Sequence, residues 1–96
     1  MNKAEVKSYA SVWDALAATP EEAANLRLRA ALMRQIAAVI ERKRWTQAEA
    51  AARCGVSQPR MNDLLRGRIS RFSLDTLENL AAAQGSRVTV KLVNAA

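Results

Sequence analysis

The sequence predicts an all-α fold, a bundle of about five helices with one short β-strand near its C-terminal end. Three observations predict it. Residues 46–67 read as two short, separately capped helices joined by a tight turn. Residues 19–44 form a long amphipathic run that no Gly or Pro interrupts after Pro20. Residues 87–93 abandon helical spacing and alternate apolar with polar.

Taken in order, residues 1–18 read as an N-terminal arm, and 19–96 as one domain. Within the arm, residues 1–10 have no strong periodicity. Ser11–Leu16 predicts a short helical turn with Ser11 as cap and Trp13 and Leu16 on one side. Its docking surface stays open: its own domain, a second copy or a partner. Thr19-Pro20-Glu21-Glu22 is a helix start, with Thr19 as cap, Pro20 in the first turn and Glu22 closing a capping box. The helix runs to about Arg44. Leu26, Ala30, Met33, Ala37 and Ile40 recur at steps of four and three, and Leu32, Ile36 and Val39 widen the stripe.

Thr46 caps the next helix with Glu49 in its box, and Gly55 fits the left-handed position that ends it. Ser57 caps the following helix, Pro59 falls in its first turn, and Gly67 stops it. Ala50, Cys54, Val56, Met61 and Leu64 sit where the two would face each other, and the small Ala51 permits close crossing. After the loop Arg68–Phe72, Ser73 caps a helix from Leu74 to about Gln84, ended by Gly85, with Leu74, Leu77, Leu80 and Ala81 inward. In 87–93, Val88, Val90 and Leu92 share one face. A lone strand leaves an unpaired edge, so those three residues are expected to pair with a second copy in a homodimer.

The charge is localised. Residues 42–71 hold eight basic groups and two acidic ones, which is the whole net charge of +6. A basic excess on a two-helix reading unit is the footprint of a polyanion partner, double-stranded DNA. Zinc and thiol–imidazole chemistry are not expected in a chain with no His and one Cys. No phosphate-cradling glycine loop is present, and the acidic groups are scattered. We therefore expect no enzyme, no metal and no cofactor. One cysteine, no apolar run of membrane-spanning length and no leader pattern at the start predict a cytoplasmic chain with no membrane partner.

On a helix from Gln58 to Arg66, Met61 and Leu64 point inward, while Gln58, Pro59, Asn62, Asp63 and Arg66 lie opposite. A recognition helix presents its N-terminal residues to base edges. Gln58 is the best reader by position and chemistry, since an amide can bond adenine twice. Ser57, Arg60, Asn62 and Asp63 complete the base-reading set. Arg60 suits guanine or a phosphate equally, and Asp63 could accept from cytosine or balance a nearby Arg. Gln47, Arg68, Arg71 and Ser73 are the expected phosphate contacts, with Arg44 and Arg53 weaker candidates. Cys54 reads as a small buried hydrophobe, and Trp45 as a staple against Ala50.

Trp45-Thr46-Gln47-Ala48-Glu49, Gly55-Val56-Ser57-Gln58 and Leu64-Leu65-Arg66-Gly67 resemble the XRE family of lambda-repressor-like helix-turn-helix regulators. Ser11–Leu16, Glu21–Leu26, Ser57–Arg60 and Phe72–Leu77 are similar to a subgroup of small HigA-type antitoxins. The resemblance implies a lambda-repressor-like bundle and a dimeric repressor that autoregulates its operon by binding an operator palindrome. It also implies a RelE-like toxin as partner. The family's reading positions fall here on Gln47, Ser57, Gln58, Arg60, Asn62 and Asp63. Pro59 departs from members that place a polar reader there, which shifts the burden to Gln58 and Arg60. The alternatives are an orphan or phage-derived regulator of the same type, or a protein-interaction module with little DNA binding.

Overall fold

The computed structural model describes residues 18–94. The expected arm and its helical turn at 11–16 lie outside the described residues. Within them the chain forms α1 (Pro20–Arg42), α2 (Gln47–Cys54), α3 (Gln58–Leu65), a 3-10 turn (Ile69–Arg71) and α4 (Leu74–Ala83).

The expected caps form. Thr19 Oγ1 accepts from the Glu22 amide at 3.0 Å. The Glu22 carboxylate reaches back one residue further than a capping box requires, to the Ala18 amide at 3.1 Å. At α2 the full box is present: the Glu49 amide donates to Thr46 Oγ1, and the Thr46 amide to Glu49 Oε1. Ser57 and Ser73 hydroxyls accept from the Arg60 and Thr76 amides. Each cap satisfies a donor that the first helical turn cannot, worth about 1 kcal/mol. α1 ends at Arg42, slightly before the expected Arg44. Arg44 instead takes a left-handed backbone (φ 57°), and the Trp45 amide bonds back to the Ile40 carbonyl. A non-glycine residue there costs roughly 1–2 kcal/mol.

α1 packs on α3, the 3-10 turn and α4, and its Met33, Ile36 and Ile40 share one core with Ala50, Ala51, Cys54, Met61, Leu64, Leu77, Leu80 and Ala81. Of the stripe read from the sequence, Ala30, Met33 and Ile40 are buried together with Ile36, Leu32 packs at the edge, and Leu26, Ala37 and Val39 are half-buried. Phe72 was expected in a loop. It is one of the largest fully buried side chains, and such a burial contributes roughly 1.5–3 kcal/mol. It fills the space where the 3-10 turn closes over the core.

Two fold expectations are corrected. The described residues hold four α-helices and a 3-10 turn rather than five helices. The β-strand at 87–93 is not formed. A strand is defined by its hydrogen-bonded neighbour, and among the described residues this segment meets none. Val88 packs on the core edge. Val90 is 86% and Leu92 94% exposed.

Candidate nucleic-acid interface

The site is built on α2 and α3. Gly55 (φ 70°) lets the chain turn between them, with the Val56 amide donating to the Ala51 carbonyl at 3.0 Å. The two helices meet through Ala50, Ala51, Cys54, Met61 and Leu64, all buried. On the outer side the Gln47 side-chain amide donates to the Gln58 carbonyl at 3.2 Å. This bond ties the start of α2 to the start of α3, so the two N-terminal ends are held side by side. Gln58 itself is exposed, as are Gln47 and Ser57.

The remaining predicted readers are distributed differently from the helical wheel. Asn62 is half-buried. Arg60 is half-buried as well: its guanidinium lies 4.2 Å from the centre of the Phe72 ring, and Nη1 donates to the Arg71 carbonyl at 2.8 Å. Arg60 thus links α3 to the turn after it, a contact the alternatives of guanine or phosphate did not include. Ser57 Oγ is engaged in its cap.

Asp63 is placed opposite to expectation, buried rather than on the outer face. Its side chain is 12% exposed, with Oδ1 3.0 Å from Arg68 Nη1 and Oδ2 3.1 Å from Arg71 Nη1. Of the two roles the sequence left open, the structure shows the balancing of nearby arginines. The wheel gives a residue's direction about its own helix. It does not say that the chain beyond Gly67 folds back over that flank.

The 3-10 turn therefore presents two arginines on one carboxylate. Their side chains remain 43% and 56% exposed, Arg68 and Arg71 respectively. Three basic groups (Arg60, Arg68, Arg71) and one acid leave the turn electropositive. Ser73 is exposed beside it, its Oγ shared between the Thr76 amide and hydroxyl. Arg53 stacks on Trp45, 4.8 Å from the ring centre. Trp45 is half-buried and packs on the core, as a staple should.

One contributor was missed in the sequence. Arg29, on the α1 flank, donates from Nη1 to the carbonyls of Ile69 and Phe72, each at 3.2 Å, and from Nε to Asn25 Oδ1 at 2.7 Å. The Asn25–Arg29 spacing of four is visible in the sequence. The two carbonyls, 40 and 43 residues away, are not.

Among the described residues no three His, Cys, Asp or Glu side chains gather where they could hold a metal ion. No described helix is long and apolar enough to cross a membrane. Burial pushes the Cys54 thiol up, as its place on the inner face requires.

No curated protein and no solved structure matches the chain. A family model for a helix-turn-helix domain matches residues 16–93, which takes in all four helices and the tail beyond them. With a capped two-helix unit, an exposed Gln58 at the start of its second helix and an electropositive turn beside it, the chain belongs to the helix-turn-helix domain family, whose activity is DNA binding.

Proposed function

We propose that this protein is a sequence-specific transcriptional repressor of the XRE type that acts as a homodimer on an operator palindrome. The observation that carries the reading is the side-by-side fixing of Gln47 and Gln58 at two helix starts, with Arg68 and Arg71 on the adjoining turn. Gln58 and Asn62 would read base edges, with Ser57 and Arg60 holding the helix start and the turn in register. Gln47, Arg68, Arg71 and Ser73 would meet the phosphates. Val88, Val90 and Leu92 would join two copies. Recognition helices entering successive major grooves lie about 34 Å apart.

The antitoxin reading is supported by the resemblance and by α1. This helix spans 23 residues, more than the reading unit needs, and leaves Leu28 56% exposed on its first half. That face would meet a RelE-like toxin.

Binding to the DNA upstream of its own gene, titrated over salt, tests the proposal. Tight, salt-sensitive binding to that fragment and weak binding to random DNA is the expected result. Equal affinity for both would leave a nonspecific binder, and no binding at low salt would leave a protein-interaction module. A small basic reading frame next to this one, whose product co-purifies with it, is expected from the antitoxin reading; its absence favours an orphan regulator.

A further inference from the structure

All four described α-helices end in the same backbone geometry. One amide donates to the carbonyl three residues back, and the next amide to the carbonyl five residues back. After α1 these bonds run from Arg44 to Glu41 at 3.0 Å and from Trp45 to Ile40 at 3.2 Å. Gly55, Gly67 and Gly85, each with the residue that follows it, make the same pair after α2, α3 and α4. The motif needs a left-handed residue at its centre, and glycine is the usual one. Three of the ends have glycine there, with φ 70°, 72° and 93°. The fourth has Arg44, with φ 57°, the one non-glycine residue of positive φ among the described residues.

The helix end gives no reason for arginine at this position. A Cβ in the left-handed conformation crowds the following carbonyl, and Arg lacks the short polar group with which Asn or Asp eases it. The attraction of a cation to a helix C-terminus is weaker than that penalty, and Arg42 and Lys43 already supply two cations there. Arg44 is exposed, and among the described residues its side chain has no ion-pair partner. What distinguishes the position is its place. Arg44 stands at the corner between α1 and α2, three residues before Gln47. Three residues of chain span at most about 10 Å, so a DNA strand whose phosphate meets Gln47 passes close to Arg44. Residues 41–53 hold four basic groups and two acidic ones, and one of those acids, Glu49, is tied into its capping box. Arg53 is held at the same corner on the Trp45 ring.

We propose that Arg44 grips the DNA backbone at the α1–α2 corner, a phosphate contact separate from the turn that carries Arg68 and Arg71, and that the chain bears a left-handed arginine there for that contact. The inference rests on the DNA-binding reading and adds a residue to it. Arg44→Gly and Arg44→Lys variants of the full chain are compared with the unaltered protein in thermal unfolding, and in binding to random duplex DNA and to the fragment upstream of the gene over a salt series. Arg44→Gly is expected to melt about 3–6 °C higher, since glycine takes the left-handed conformation without the penalty. It is expected nonetheless to bind both DNAs more weakly, by about eightfold per subunit at 0.1 M salt, with the salt slope reduced by about one per subunit. Arg44→Lys keeps the charge and should keep the slope. A residue that served the fold alone would move no salt slope. Binding by Arg44→Gly that matches the unaltered protein in affinity and slope would overturn the contact and leave the DNA-binding reading standing. A lower melting temperature for Arg44→Gly would show that arginine serves the helix end, and would overturn the inference as well. No salt-dependent binding by the unaltered protein would remove the DNA-binding reading, and this contact with it.

Discussion

Asp63 holds Arg71 across the end of α3, with Oδ2 3.1 Å from Nη1, while Oδ1 takes Arg68 at 3.0 Å. Arg71 is bound at its other end too, its carbonyl accepting from Arg60. The turn that would grip the DNA backbone is therefore set by the helix that would read the bases.

Asp63→Ala removes one end of that linkage. Both arginines are about half exposed, so each ion pair is worth a fraction of a buried one, and the loss is expected at about 1–2 kcal/mol. Urea unfolding measures it. Affinity for random DNA should not fall, because the positive charges remain, while discrimination between operator and random DNA should shrink. An unchanged unfolding midpoint would show that the pairs seen here add nothing.

Gln58→Ala keeps α3 capped by Ser57, and the Gln58 carbonyl that receives Gln47 is backbone. Specific affinity should drop by roughly 1–3 kcal/mol with nonspecific binding nearly intact. Competition binding against random DNA reads the difference. Equal losses on both DNAs would remove Gln58 from base reading.

Arg29→Met leaves the α1 flank packed but withdraws the donors to the Ile69 and Phe72 carbonyls. Hydrogen bonds from a charged donor are worth about 1.5–3 kcal/mol, so a loss in that range is expected in thermal or urea unfolding. Amide exchange in Ser70–Phe72 should accelerate more than exchange in α2. A uniform acceleration across the chain would mean the residue serves general stability alone.

Cys54 gives a pH dependence. Its folded-state pKa is raised by burial, so the thiol stays protonated in the folded protein while the unfolded chain ionises at the ordinary value of about 8.5. The stability from this site is thus full below that value and is lost as pH rises through it toward the folded pKa. Between neutral and alkaline pH the protein should lose more unfolding free energy than Cys54→Ala does. Parallel losses in the two would contradict burial of the thiol.

The two-helix unit was legible because its signals are local. Thr46, Glu49, Gly55 and Ser57 act within a few residues of themselves, and each took its expected backbone or cap. The inner stripe of α1 was legible for the same reason, since the period of the helix sets which side chains share a face. Asp63 and Arg60 were not. Their partners lie 5 to 11 residues on, beyond a left-handed glycine that turns the chain back. Phe72 belongs to the segment expected as a loop, where no period says whether an aromatic turns in or out.

The four described helices, their starts, most of their apolar faces and the place of the positive charge are written in the sequence, because propensity, capping and periodicity act over short chain distances. Which polar groups remain available depends on the packed fold. It folded the 3-10 turn over α3, spent Asp63 and Arg60 on holding it, and brought Arg29 from a distant helix to its carbonyls. Among the described residues it also gives 87–93 no neighbour of the kind a strand needs. Hydrogen bonds and ion pairs depend on distances between atoms far apart in the chain, and only the packed fold sets those.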